Sequence, residues 1–195
     1  MDMGKPPTRR LRIFLRDFRM VEAAVHLADG QMLASYFANR KSYINLQAAE
    51  WTGTDGRVDH VVLRLDQVLW ATSPDGDVQL TSASIVQRAR LVEMQLDGGL
   101  MLRGGLVTSE YQRLSDYLET AGVFIPVTNA QLLRSGRPPK AVNVELGDVA
   151  LNQQAIQAVW ELAGLPHDVD DRPGAESVDS ARDAAGTGPE GDPIG

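Results

Sequence analysis

Tyr43-Ile44-Asn45-Leu46-Gln47-Ala48-Ala49-Glu50-Trp51 returns 81 residues later as Phe124-Ile125-Pro126-Val127-Thr128-Asn129-Ala130-Gln131-Leu132. Ile44, Leu46 and Ala49 fall on Ile125, Val127 and Ala130, and the same offset carries Val61, Leu63, Leu65 and Val68 onto Val142, Val144, Leu146 and Val149. Upstream, Leu27, Gly30, Met32 and Leu33 fall on Leu96, Gly99, Met101 and Leu102 at an offset of 69. Similarity at a fixed offset marks a duplicated structural unit. The 12-residue difference between the offsets matches an insertion holding Tyr111, Leu114, Tyr117 and Leu118, which are spaced as one face of a short helix. The expectation is two copies of one β unit, the second carrying an inserted helix over 110–120.

Within each copy the apolar residues alternate, as half-buried strands require. Val21, Ala23, Val25 and Leu27 alternate with Glu22, Ala24 and His26, and Asp29-Gly30 then cues a hairpin into Met32. Further strands are expected over 43–51, 58–70, 78–80, 85–96, 101–107, 123–133, 142–146 and 155–162. A unit of about 70 to 75 residues is small for an independent core, and closing its strands on themselves would hide its edges. The fold expected is mainly β: two tandem small antiparallel β-barrels, with a two-sheet sandwich as the competing architecture. The domain boundaries are a flexible N-terminus over 1–8, a first unit over 9–83, a second over 84–164, and a disordered acidic tail over 165–195. Residues 9–19 read as a helix, with Leu11, Phe14, Leu15 and Phe18 on one side, or as a strand alternating Leu11, Ile13 and Leu15.

Two local patterns carry a family resemblance. Tyr43-Ile44-Asn45 follows Lys41, and the second copy keeps Gly99 and Gly104 five residues apart where the first has Gly30 and Ser35. Together with the strand order, these resemble the Sm-like small barrel, the fold of the Sm proteins and the bacterial Sm-like RNA chaperone. In that family an acidic residue precedes a branched apolar residue and Asn, and an aromatic and the Asn bind a base. Here Lys41 takes the acidic position, the second copy reads Phe124, Ile125, Pro126 without the Asn, and the Arg-Gly type of pair is absent after Val68. The resemblance spans residues 10–162 in two pieces. It implies an opening helix over the first barrel, base contact by Tyr43 and Asn45, and phosphate contact by Arg40, Lys41 and the N-terminal arginines. Arg113-Leu114-Ser115-Asp116-Tyr117-Leu118, followed by Phe124 and Asn129-Ala130, also resembles small bacterial domains of unknown function.

Composition narrows the function further. The chain has 195 residues, a net charge of −7 and no cysteine, which removes disulfides, thiol nucleophiles and thiolate-bound metals. Residues 1–20 carry a net +4, residues 165–195 a net −6, and the stretch between them a net −5. An acidic body opposes a polyanion, so RNA is disfavoured as a partner and DNA is not expected. No apolar run reaches the roughly 20 residues of a spanning helix, and a cytoplasmic protein is expected. Residues 9–19 could alternatively act as an electrostatic arm toward a membrane surface or nucleic acid.

The search for reactive groups finds little that converges. His26, His60 and His167 are isolated, no HExxH or GxSxG segment exists, and Gly104-Gly105-Leu106 lacks the Lys and hydroxyl residue of a phosphate loop. No catalytic residue, metal ligand or cofactor is expected, and the chain is read as a non-enzyme. The expected activity is protein binding or self-association, using Tyr111, Arg113 and Tyr117 of the inserted helix and Arg134, Arg137 and Lys140 of the following loop. The alternative is single-strand RNA binding through Arg40, Lys41, Tyr43 and Asn45.

Overall fold

A computed structural model describes residues 7–28, 30–74, 87–109, 111–135 and 140–162. All of them belong to one unit, Met1–Gly164. The expected acidic tail, residues 1–6 of the expected loose N-terminus, the strand at 78–80 and Arg137 lie outside the described residues.

The alternation of Leu11, Ile13 and Leu15 decides the N-terminal segment, which is a strand, not an opening helix: all three side chains are buried. This strand, β1 (Thr8–Leu15), is followed by β2 (Met20–His26), α1 (Leu33–Ala38), β3 (Tyr43–Trp51) and β4 (Arg57–Arg64). A 3-10 turn at Leu65–Gln67 then leads into β5 (Val68–Thr72). The second half repeats this order: β6 (Gln87–Leu96), β7 (Met101–Ser109), α2 (Leu114–Thr120), β8 (Phe124–Ser135), β9 (Lys140–Asn152), a 3-10 turn at Gln153–Ala155 and β10 (Ile156–Glu161).

The ladders give the true register of the duplication. Leu11↔Ala23 and Ile13↔Val21 recur as Val92↔Gly104 and Met94↔Leu102, an offset of 81. The Leu15 N–H to Arg19 carbonyl bond recurs as Leu96 to Leu100, each 2.9 Å. Both helices begin 81 residues apart, at Leu33 and Leu114. Beyond β3 and β8 the offset becomes 88, since Ile44↔Leu63 and Leu46↔Val61 recur as Ile125↔Leu151 and Val127↔Val149.

Several expectations are therefore corrected. The helix is not an insertion in the second copy, because α1 occupies the same place in the first. The 69-residue offset matched Gly30, which leads into a helix, with Gly99, which closes a hairpin. Leu33, Ala34, Tyr36 and Phe37 are the buried face of α1, so Gly30 precedes a helix and not a second strand. The two units also do not form two separately closed sheets. Among the described residues, ten strands join in one antiparallel sheet, ordered β10-β6-β7-β8-β9-β5-β1-β2-β3-β4 and not closed into a barrel.

The sheet nevertheless serves two cores. One gathers Leu11, Ile13, Val21, Leu33, Phe37 and Leu46, and the other Val92, Met94, Leu102, Leu106, Val127 and Leu151. Gly104 permits the close approach of β7 to β8, where a Cβ would overlap the Val127 side chain. The halves meet where β5 pairs with β9, through Trp70↔Leu151, Ala71↔Ala150 and Thr72↔Val149. Val68 to Ala71 and Val149 to Asn152 are all buried there, as strands covered on both faces must be. Each half also lends residues to the other: Leu69 and Trp70 enter the second core, Phe124 and Ala150 the first.

Candidate functional site

The strands that meet at this joint have counterparts at the two ends of the sheet. Strand β4 is the repeat of β9, and β10 is the repeat of β5. The second equivalence holds in detail: β5 pairs with β1 through Ile13↔Ala71 and Phe14↔Trp70, and β10 pairs with β6 through Met94↔Val159 and Gln95↔Ala158, with a bulge at the same place. Inside the chain a β5-type strand lies against a β4-type strand. At the ends, one strand of each type is left as an edge among the described residues.

Burial differs between the joint and the ends. Ala150 is 0% exposed at the joint, while its counterpart Val62 on β4 is 57% exposed. Phe124 is 3% exposed and stacks on Phe37 with ring centroids 4.8 Å apart; its counterpart Tyr43 is 55% exposed. On the other edge, Leu114, Leu118, Ile156, Ala158 and Val159 line an open groove of about 380 Å³ between α2 and β10. The equivalent space in the first half, beside Leu33, Phe37 and Val68, is filled by Phe124 and Ala150.

Polar contacts finish the joint. The Asn152 side-chain amide is buried and donates to the Val68 carbonyl at 2.9 Å and the Leu65 carbonyl at 3.4 Å. Arg16 forms an ion pair with Asp97 and donates through Nε to the Asp66 carbonyl at 2.6 Å. At the counterpart of Asn152 stands Arg64, an exposed residue paired with Asp66.

The residues singled out from sequence do not form one cluster. Tyr111 and Arg113 are exposed just before α2, and Tyr117 on α2 is half-buried against the second core, which raises its phenol pKa above the ordinary 10.0 through desolvation. Arg134 and Lys140 are exposed at the far end of the β8–β9 hairpin, close to the Ser135↔Lys140 pair. Among the nucleic-acid candidates, Arg40 lies over the Tyr36 ring at 4.9 Å. Arg40, Lys41, Arg64 and Asp66 line a cavity of about 180 Å³ beside Asn152, and Tyr43 and Asn45 stand outside its lining, exposed on β3.

Sequence reasoning missed Val62, Val159 and Trp160. A signal existed in Val61-Val62-Leu63, where adjacent apolar residues put one on each face of the strand. Among the described residues, no group of three His, Cys, Asp or Glu side chains could hold a metal ion, and no helix is long and apolar enough to cross a membrane. No protein-family model, curated protein or solved structure matches the chain.

Proposed function

We propose that the chain is a cytoplasmic, non-enzymatic protein-interaction and assembly module built from two fused copies of one Sm-like β unit in a single open sheet, and that it works by presenting its end strands to other polypeptides. One observation carries this reading: both sheet ends display apolar side chains whose repeat counterparts are buried at the internal joint. An edge strand has a row of unpaired backbone donors and acceptors, and an incoming strand satisfies them while alternate side chains fill pockets. The repeated strand order, β5-β1-β2-β3-β4 and β10-β6-β7-β8-β9, each around its own core, supports treating the halves as equivalent units. A chain without cysteine needs no oxidising compartment.

The test is light scattering across a concentration series, with hydrogen exchange mapping of β4 and β10. Association with copies or with a purified partner should slow exchange in both strands. A monomer at every concentration, with freely exchanging edges and nothing retained from lysate, would discard the reading.

RNA binding is a second reading, favoured by the exposure of Tyr43 and Asn45 near Arg40 and Lys41. Stacking on Tyr43 would contribute about 1–3 kcal/mol per base. Labelled poly-U and poly-A at low salt test it, and binding that survives Tyr43→Ala and Asn45→Ala unchanged would remove it.

A further inference from the structure

We infer that the partner of these edges is a second copy of the chain, added head to tail, so that β4 of one copy pairs with β10 of the next in the register of the internal joint. This rests on the assembly reading above and names its partner. The internal joint is the template. The 88-residue offset carries Trp70, Ala71 and Thr72 of β5 onto Ala158, Val159 and Trp160 of β10. It carries Leu151, Ala150 and Val149 of β9 back onto Leu63, Val62 and Val61 of β4. The pairs between copies are then Ala158 with Leu63, Val159 with Val62, and Trp160 with Val61.

The side chains fit this arrangement. Tyr43, standing where Phe124 stands, enters the next copy's groove between α2 and β10 and meets Leu118, the counterpart of Phe37. Val62 is covered by the same helix, as α1 covers Ala150. Arg64 replaces Asn152 as a donor, aimed at the backbone carbonyls of Gln153 and Ile156 that correspond to those of Leu65 and Val68.

The contact is weaker than the joint it copies, since exposed Gln157 and Ala158 stand where Leu69 and Trp70 are buried. Association is therefore concentration-dependent. A head-to-tail contact uses two different surfaces, so it propagates into a ring or a filament and does not stop at a symmetric pair.

The absence of native cysteine makes engineered thiols unambiguous. Full-length Val62→Cys and Val159→Cys chains, mixed and oxidised, should give a mixed disulfide dimer. The chain carrying both substitutions should give a ladder of higher multimers. Each single variant alone should form no disulfide-linked species under the same conditions. His60→Cys with Glu161→Cys probes the same register at two other exposed positions, and Val62→Cys with Glu161→Cys, displaced by two residues, should cross-link far less. Circular dichroism verifies that each variant is folded. Tyr43→Ser should raise the protein concentration needed for association by about tenfold.

Efficient cross-linking of Val62→Cys with itself would overturn the proposal in favour of symmetric pairing. So would a wild-type chain that is monomeric at every concentration. If that monomer protects β4 and β10 when a purified foreign chain is added, the interaction reading stands and only the identity of the partner fails. If nothing protects them, both fail.

Discussion

The internal joint and the sheet ends use the same two strand types, but only at the joint do the two belong to one chain and pair with each other. At the joint, Phe124, Ala150, Leu69 and Trp70 are all buried. At the ends their counterparts are Tyr43, Val62, Gln157 and Ala158, which are wetter or smaller. A surface that must survive as a soluble edge cannot carry the side chains of a permanently covered one. Tyr in place of Phe keeps an aromatic ring and gives its exposed tip a hydroxyl for water. The difference between the two regions therefore separates what the fold requires from what the proposed association would require.

Substitutions at matched positions should break that comparison apart. Phe124→Ala removes a buried ring stacked on Phe37 and is expected to cost about 3–5 kcal/mol in urea denaturation. Its counterpart Tyr43→Ala should change monomer stability by less than about 0.5 kcal/mol. Equal losses would mean that the two edges are not alternative states of one surface. Asn152→Ala leaves the buried Val68 carbonyl without the side-chain amide and should cost about 1–3 kcal/mol, measured in the same way. Arg64→Ala, at the exposed counterpart, should leave the unfolding midpoint nearly unchanged.

How much of this could be read from sequence follows from the range of each signal. The 81-residue return of Ile44, Leu46 and Ala49 as Ile125, Val127 and Ala130 was legible because buried alternation is local. The switch to 88 was not. Strand β9 carries Val142, Val144 and Leu146 ahead of Val149 and Leu151, so an alternating apolar pattern matches at more than one offset. Helix α1 was hidden by a strong turn cue just before it, although Leu33, Ala34, Tyr36 and Phe37 follow helical spacing. The break between β4 and β5 at Leu65-Asp66-Gln67 contains no glycine or proline, so 58–70 looked continuous. The joint itself is purely tertiary, since nothing in Val68 to Thr72 names β9 as its neighbour. The candidate edges became visible only once strand order and repeat offset were combined.

Smaller effects sharpen the comparison at positions where the copies share a backbone shape but not a residue. Ala48 and Asn129 lie 81 apart, and both have left-handed backbone, with φ of 54° and 48°. Asn tolerates that region and its N–H donates to the Asp148 carboxylate at 3.0 Å, whereas Ala48 bears the steric cost. Ala48→Gly should therefore stabilise the chain by about 0.5–1 kcal/mol, and Asn129→Gly should not. Thermal unfolding of the two variants decides the point, and a destabilised Ala48→Gly would contradict the assigned strain.

The smallest difference concerns the first hairpin turn, where Asp17 occupies the place that Gly98 takes in the second copy. The Arg19 side-chain hydrogen bond, 2.7 Å long, is the main reason that the Asp17 carboxyl lies below its ordinary 3.8. A depressed folded-state pKa contributes stability above the unfolded-state value, and the contribution disappears as pH falls through the folded-state value. Both side chains are exposed, so Asp17→Asn should cost less than about 0.5 kcal/mol at neutral pH. That difference from the wild-type chain should vanish in strong acid, where the carboxyl is protonated in both states. A gap that persists there would reflect the turn's backbone and not the charge pair.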